Sequence, residues 1–216
     1  MIFTLDLDNP EEVLNFAVMP LRMIHDAFDD GVSYADTQLE GQPQDSHYWS
    51  HSARYRARNV LNEVTWQEGW HLGRDLANSG VEIVRGDLTM RVLKAIGGAP
   101  PHPGHNRARQ SFWRQKPAVV VPTPQQLYFA LAIDGLTLLN GSNLIVDWDV
   151  IAKRQLVLAL SKPDGVWNYQ KKPRLAWRRH VIFGDANEPR FDPTEEDIPV
   201  EYPDYDVTEL DEPEEY

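Results

Sequence analysis

Apolar residues recur at helical spacing in the first part of the chain. Asn9-Pro10-Glu11-Glu12 combines an N-cap side chain, a proline at the first helical position and a glutamate at the third. The apolar positions that follow at spacings of three or four are Val13, Ala17, Leu21, Ile24 and Phe28. This pattern predicts a helix that Pro20 kinks or splits and that ends at Asp29-Asp30-Gly31.

Four more elements are predicted before residue 97. A helix begins near Ser46 and runs past Leu61, because apolar residues again recur at helical spacing along one side. That apolar stripe consists of Trp49, Ala53, Ala57, Val60 and Val64. A capping-box pattern at residues 65–68 predicts a third helix that Gly80 ends. Residues 81–84 are expected to form a strand and residues 87–96 a helix.

The second half mixes helical and strand periods. Thr123-Pro124-Gln125-Gln126 is typical of a helix start, so a helix is predicted over residues 123–134. Alternation in residues 156–160 and 166–170, with Lys162-Pro163-Asp164-Gly165 between them, predicts a β-hairpin. Residues 174–183 alternate as well, which predicts a third antiparallel strand with one apolar face and one exposed basic face.

A Gly- and Pro-rich stretch at residues 97–105 separates the two halves and favours a linker or long loop. The predicted class is therefore α+β. Residues 1–96 are expected to be mainly helical, and residues 106–184 to form a basic part with a helix and a small antiparallel sheet. Residues 185–216 are expected to form an acidic, Pro-rich tail.

Charge is distributed unevenly over these segments. Residues 1–100 carry 8 Lys and Arg against 15 Asp and Glu, residues 101–184 carry 12 against 4, and residues 185–216 carry 1 against 14. The net charges of the three segments are −7, +8 and −13, and that of the chain is −12. Segments of opposite sign attract each other or an outside partner of opposite sign.

The tail has too few aliphatic residues to offset its ordering entropy, so by itself it is expected to be disordered. Tyr202, Tyr205 and Tyr216 stand among its acids. Rings spaced among acidic groups can anchor such a segment on a basic surface, since charge provides attraction and the rings provide contact area. We therefore expect these three tyrosines to be docking anchors.

Cysteine content and the distribution of apolar residues indicate the cellular compartment to expect. The chain has 216 residues and no cysteine, so it forms neither disulfides nor thiolate metal sites. No run of about 18 apolar residues is present, and the N-terminus has acids where a secretion signal has basic residues. A cytoplasmic protein with no membrane partner and no cofactor is the expectation.

His47 and His51 stand four residues apart on the second predicted helix, a spacing that can chelate a divalent metal. A site needs further ligands, for which the sequence offers only Asp45, His25 and His71. The first histidine is followed by Tyr48 rather than the glutamate of a metalloprotease, and nearby Arg54 and Arg58 oppose a cation. A solvated or anion-facing helix side is therefore favoured over a metal site.

Positive evidence for catalysis is lacking. Asp147 and Asp149 would share one face of a strand, as paired catalytic carboxylates do, but no partner base can be named for them. A nucleophile elbow, a P-loop and a dinucleotide fingerprint are all missing from the sequence. The chain is accordingly expected not to be an enzyme.

Basic residues interleaved with aromatics form the richest constellation. On a small sheet such residues can hold phosphates while rings stack on bases, although a solvated face over an aromatic core explains them equally. The candidate partner- or nucleic-acid-binding residues are Lys171, Lys172, Arg174, Arg178, His180, Trp167 and Tyr169, with Arg179 and Trp177 beside them. Arg107, Arg109, Arg114 and Lys116, around Phe112 and Trp113, are a possible extension of this surface.

A basic body with an acidic tail that ends in Glu214-Glu215-Tyr216 resembles the design of phage and bacterial single-strand DNA-binding proteins. The resemblance covers the tail only. We expect a non-enzymatic interaction or assembly protein that uses charge-complementary surfaces and its tail to bind a protein partner or its own subunits as an oligomer. The alternative is a single-strand nucleic-acid-binding protein with an autoinhibitory tail. A weaker alternative is a metal-dependent hydrolase that uses His47 and His51.

Overall fold

In the computed structural model, the described part of the chain comprises residues 3–40, 45–103, 107–115, 136–139, 141–151, 154–165, 174–183 and 189–190. The α+β class is confirmed, because helices and a mixed β-sheet share one core. The predicted helix at residues 123–134 and the predicted strand at residues 166–170 lie outside the described residues.

Four α-helices lie in the described part: α1 (Pro10–Phe16), α2 (Val18–Gln38), α3 (Ser46–Glu63) and α4 (Arg107–Trp113), with a short 3-10 helix at Ala77–Ser79. The predicted starts of α1 and α3 are confirmed. The Asn9 side chain accepts the Glu12 N–H, and the Asp45 side chain accepts those of His47 and Tyr48. No helix in this part is long and apolar enough to cross a membrane.

Nine strands in the described part of the chain form two sheets. They are β1 (Phe3–Asp6), β2 (His71–Leu72), β3 (Val81–Arg85), β4 (Leu88–Lys94), β5 (Leu136–Leu139), β6 (Asn143–Ile151), β7 (Gln155–Pro163), β8 (Leu175–Phe183) and β9 (Pro189–Arg190). The large sheet has the order β2-β3-β4-β6-β7-β8-β9, and β1 pairs with β5 in parallel. The strands predicted at residues 81–84, 156–160 and 174–183 are confirmed.

The large sheet draws strands from both sides of residues 97–105. β4 pairs with β6 in parallel, in a register that runs from Thr89 opposite Asn143 to Lys94 opposite Trp148. Gly97 and Gly98, both at positive φ, form a tight turn that Ile96 and Ala99 close with reciprocal backbone hydrogen bonds. The predicted boundary thus coincides with the end of β4, and one sheet unites the residues on either side of it.

Trp148 lies near the centre of the core. It is fully buried, and its ring packs against Phe28 of α2 and Trp49 of α3, with centroid distances of 5.0 and 6.1 Å. Trp177 of β8 is buried as the alternation predicted, and its indole N–H donates to the Leu7 carbonyl at 2.8 Å. The helices α1, α2 and α3 therefore pack on one face of the sheet, and the other face is left for different contacts.

The predicted end of the first helix at Gly31 is wrong, because α2 continues to Gln38. The break falls at Ala17, and Pro20 lies in the first turn of α2, where a missing N–H costs no hydrogen bond. Gly31 packs against α3: a Cβ here would overlap the Ala53 carbonyl oxygen and lie 3.3 Å from the Ala57 Cβ. This glycine allows close helix packing rather than ending the helix.

Two predicted helices are strands or turns instead. Residues 65–80 form a turn with Glu68 and Gly69 at positive φ, followed by β2 and the 3-10 helix. Residues 87–96 contain β4, whose Leu88, Met90 and Val92 alternate toward the core. Gly86, also at positive φ, belongs to the tight turn between β3 and β4, so local hairpin pairing prevailed over helix propensity.

The predicted small antiparallel sheet is also corrected. Among the described residues the sheet has seven strands and is mixed, and the segment expected to be mainly helical contributes β2, β3 and β4 to it. Lys162 and Pro163, predicted in a turn, belong to β7, and the antiparallel partner of β7 on this side is β8. Local alternation identified the strands but not their neighbours.

Gly31→Ala is expected to lower the free energy of unfolding. Alanine normally gains about 1 kcal/mol over glycine inside a helix, but overpacking against the Ala53 carbonyl costs about 1–3 kcal/mol. Urea denaturation measures the sum, with Ser33→Ala, at an exposed position of the same helix, as the control. A Gly31→Ala chain more stable than wild type would contradict the close approach of α2 and α3.

Candidate anion-binding surface

A row of side chains crosses the face of the sheet opposite the helices α1 to α3. The strand registers place Glu82, Arg91, Ile145, Ser161 and Arg178 next to one another on β3, β4, β6, β7 and β8. The row therefore has an arginine near each end. The two arginines have different surroundings.

Arg178 forms a buried ion pair. Its Nη2 and Nε donate to the Asp147 carboxylate at 2.6 and 3.2 Å, and the Ser161 hydroxyl donates to the same carboxylate at 3.4 Å. The Asp147 side chain is only 2% exposed. Burial raises the pKa of Asp147, and the hydrogen bonds and charge of Arg178 act in the opposite direction. The charge of Arg178 is thus balanced inside the protein, and the expectation of an exposed basic side chain at this position is corrected.

The rest of the predicted basic surface is placed as follows. Arg174 donates to the Asp164 carboxylate at 2.8 Å, and His180 Nε2 lies 3.4 Å from Arg178 Nη1. Burial, together with the charge of Arg178, lowers the pKa of His180. Arg174 and Arg178 therefore each have a carboxylate partner. The other predicted binding residues, Lys171, Lys172, Trp167 and Tyr169, and the tail tyrosines, Tyr202, Tyr205 and Tyr216, lie outside the described residues.

Arg91, near the other end of the row, lies under α4. Its guanidinium carbon is 5.4 Å from the centre of the Phe112 ring. Its cross-strand neighbour Glu82 is buried and is also approached by Arg74, at 3.8 Å. One carboxylate is therefore shared between two guanidinium groups.

Gln115 fixes α4 against the sheet. Its amide N–H groups donate to the carbonyls of Asn143 and Pro163, at 2.7 and 3.3 Å, and its Oε1 accepts the backbone N–H groups of Ser142 and Asn143. Gly141, at φ +134°, lies so close that a Cβ would be 2.7 Å from the Gln115 Oε1. Arg109, exposed and one helical turn before Phe112, is therefore held on the side of α4 that faces Arg91.

Helix α3 carries two arginines on one side, Arg58 and Arg54, and of these two only Arg58 has a carboxylate partner among the described residues. Arg58 donates to the Gly80 carbonyl and to Asp75, both at 2.5 Å, which ties α3 to the start of β3. Arg54 lies one turn earlier on the same side of α3, and its Nε donates to the Ser50 carbonyl at 3.2 Å. No carboxylate of the described residues lies within ion-pair distance of Arg54.

Arg109 of α4 acts electrostatically on both Arg54 of α3 and Arg91 of β4, and these three residues are here called the arginine triad. Burial lowers the pKa of Arg54, and the charge of Arg109 lowers it further. Burial also lowers the pKa of Arg91, as do Arg109 and Arg74, against the opposing effect of Glu82. Like charges held together and partly withdrawn from water are stabilised by an anion, and a guanidinium is suited to carboxylate or phosphate oxygens.

Exposed aromatic groups lie beside the triad on α3. Tyr48 and Tyr55, two turns apart, are 57% and 53% exposed. They occupy the side of the helix next to the one that carries His51 and Arg54. The surface therefore combines positive charge with rings that a flexible anionic ligand can contact.

The structure does not bring the residues of the predicted metal site together, and the two predicted carboxylates, Asp147 and Asp149, each pair with a cation of their own. Within the described ranges, no three His, Asp or Glu side chains are grouped closely enough to hold a metal ion. The Asp45 carboxylate caps α3, and His25 contacts Asp26. Asp149 follows Asp147 on the same side of β6 but pairs with Lys94 at 3.1 Å. Each of these two carboxylates is thus engaged with a different cation.

Sequence reasoning named two members of the triad and missed the third. Arg54 was noted as unfavourable to a metal beside His51, and Arg109 as a possible extension of a basic surface. Arg91 fell in a segment predicted to be helical, so its position opposite Glu82 was not foreseen. The alternation of Leu88, Met90 and Val92 was the available signal.

Comparison with known proteins adds no further assignment. No protein family, curated protein sequence or solved structure matches this chain.

Arg178→Ala is expected to destabilise the fold by about 3–5 kcal/mol, because it leaves the buried Asp147 carboxylate unpaired. Replacing the pair together, Arg178→Leu with Asp147→Leu, should restore most of that loss. Arg174→Ala is the control, since its exposed ion pair contributes at most about 1 kcal/mol. Equal unfolding free energies for Arg178→Ala and Arg174→Ala would show that Arg178 is not a structural residue.

Proposed function

We propose that this protein is a non-enzymatic interaction and assembly protein that binds acidic polypeptide segments through charge-complementary surfaces, and that the arginine triad is its main binding surface. The acidic, tyrosine-containing tail is one such segment. In this proposal the triad attracts the acidic segment electrostatically, and the exposed tyrosines of α3 provide the contact area.

The observation that carries the proposal is that the charge of Arg109 of α4 acts on both Arg54 of α3 and Arg91 of β4, whereas Arg91 shares the single buried carboxylate of Glu82 with Arg74. Two other arginines near the sheet each pair with one carboxylate: Arg178 with Asp147 and Arg174 with Asp164. Fixing like charges together costs free energy, which an external anion offsets. A structural role alone does not explain why α4 is fastened so as to bring Arg109 toward Arg91.

An acidic polypeptide is favoured over a nucleic acid by charge. The whole chain has a net charge of −12, which repels an extended polyanion. A short acidic segment meets only the local surface, since charges beyond about 8 Å are screened at physiological ionic strength. Tyrosine rings can contact a peptide or a nucleic acid, so a binding assay has to distinguish these two ligands.

Arg109→Glu is expected to weaken binding of a decaglutamate peptide to the full chain at low ionic strength by about tenfold, the size of a few lost or reversed charge-assisted contacts. Arg174→Glu changes the net charge equally, but Arg174 is already paired with Asp164, so this variant should weaken binding less than twofold. Fluorescence anisotropy of the labelled peptide measures both. Arg54→Gln is a second variant that removes charge without reversing it.

Equal effects of Arg109→Glu and Arg174→Glu would refute the assignment of the surface to the triad. A ten-nucleotide oligothymidine that binds more tightly than decaglutamate, with the same dependence on Arg109, would replace the acidic partner by single-stranded nucleic acid. Circular dichroism of each variant verifies that the fold is retained.

A further inference from the structure

A cleft of about 930 Å³ lies between the C-terminal half of α2, the start of α3 and the ends of β4 and β6. Ligand sites in proteins usually measure about 300–1,000 Å³. The walls carry apolar side chains, among them Val32, Leu39, Trp49 and Val150, together with charged ones. No member of the arginine triad lines this cleft, so it is a separate surface.

Carboxylates dominate the charge of the cleft. The described walls hold five of them against two cationic side chains, which gives a net charge of −3. The five are Asp29, Asp36, Glu40, Asp45 and Asp149, and the two cations are Lys94 and Arg154. Asp29 and Asp36 lie on one side of α2, about 10 Å apart along its axis, and Glu40 follows the end of the helix. A cationic ligand therefore meets carboxylates at several points along an elongated path.

Asp36 is the most firmly oriented of the carboxylates on α2. Its Oδ1 accepts the indole N–H of Trp49 at 3.0 Å, and the Trp49 ring packs on Trp148 of the core at a centroid distance of 6.1 Å. Its Oδ2 accepts Nη1 of Arg154 at 3.1 Å. The core thus fixes one oxygen of this carboxylate and leaves the other for a cation.

The pair with Arg154 shows which chemical group Asp36 takes. The Arg154 side chain, just before β7, is 74% exposed. An ion pair as exposed as this contributes little to stability, so a cation from outside can replace the arginine. Lys94 is engaged on two sides, by the Asp149 carboxylate at 3.1 Å and by the Trp148 ring, whose centre is 5.4 Å from its Nζ. Arg154 is therefore the more readily exchanged of the two cations.

We propose that this acidic cleft binds the Lys and Arg side chains of an extended basic segment of a protein partner. Guanidinium and ammonium groups donate to carboxylates and lie against aromatic rings, and the row on α2 and the Trp49 wall supply both. Ile151, which follows the lining residue Val150, is 50% exposed and adds apolar contact area. A linear polyamine has the same charge but no side chains to cover this apolar surface, which favours a peptide.

This proposal goes beyond the proposed function, because it concerns another surface and a partner of opposite charge. It does not depend on what the triad binds. The probe is labelled hexaarginine, whose binding to the full chain at low ionic strength is measured by fluorescence anisotropy.

Arg154→Gln should tighten hexaarginine binding about threefold, because it removes the guanidinium that competes for Asp36. Arg174→Gln is the matched control: it removes the same charge from the pair with Asp164, whose side-chain exposures of 76% and 16% nearly equal the 74% and 18% of Arg154 and Asp36. The control should leave the affinity unchanged. Equal tightening by both variants would show that only overall charge matters and would overturn the site.

Neutralising the rim should have the opposite effect. Asp29→Asn with Glu40→Gln should weaken binding about tenfold. Glu11→Gln with Glu63→Gln removes the same charge from exposed positions outside the cleft and should weaken binding about twofold or less. Circular dichroism verifies the fold of each variant, and equal weakening by the two pairs would contradict binding in the cleft.

The indole N–H of Trp49 locates the bound peptide. Its signal in nitrogen–proton spectra, assigned by its loss in Trp49→Phe, should shift as hexaarginine is added and saturate at the affinity found by anisotropy. A Trp49 signal that stays in place while hexaarginine binds would move the peptide elsewhere and overturn the site. Spermine that binds as tightly and shifts the same signal would replace the peptide by a polyamine and overturn the proposed partner.

Discussion

The parallel ladder between β4 and β6 is the constraint on which the rest of the structure depends. Parallel neighbours cannot be joined by a tight turn, so the chain between them has to cross back along the sheet. Helix α4 lies in this crossover, and Gln115 fastens its end to the start of β6. The pairing therefore unites the two halves of the chain in one core and also brings Arg109 toward Arg91.

The same sheet face shows two ways of treating an arginine. Arg178 is partly buried with a carboxylate that has almost no exposure, and the pair is neutral within the protein. Arg91 shares Glu82 with Arg74 and is also under the influence of the Arg109 charge. Identical side chains thus serve different ends: the pair with Asp147 contributes to the fold, whereas the triad holds positive charge that an anion stabilises.

Local signals in the sequence predicted elements well where capping or alternation was decisive. The cap at Asn9 predicted the start of α1, the apolar stripe predicted α3, and strict alternation predicted β8 with its buried Trp177. Gly31 was misinterpreted because a glycine that ends a helix and one that allows close packing look alike in a single sequence. The residues of β4 were predicted to be helical from their local propensity, because their strand conformation depends on pairing with β3 and β6.

The site was less predictable than the elements because it depends on non-local pairing. Arg91 and α4 lie on either side of the Gly- and Pro-rich stretch at residues 97–105, and nothing local in the sequence indicates that Phe112 of α4 covers Arg91. The basic residues of β8 were predicted to form a binding surface because they are close together in the sequence. Arg178, however, pairs with Asp147 of β6, two strands away in the sheet. Density of charge along a sequence is therefore a poor guide to which charges remain available to a ligand.

The most direct test of the central claim is to observe the guanidinium groups themselves. Nitrogen–proton spectra of the arginine Nε–H groups in the full chain report each side chain separately as decaglutamate is added. The account predicts that the Arg54, Arg91 and Arg109 signals shift together with a single saturating dependence, while those of Arg174 and Arg178 stay in place. Small, uniform shifts of all arginine signals, or a saturating shift confined to Arg174, would contradict an anion-binding surface at the triad.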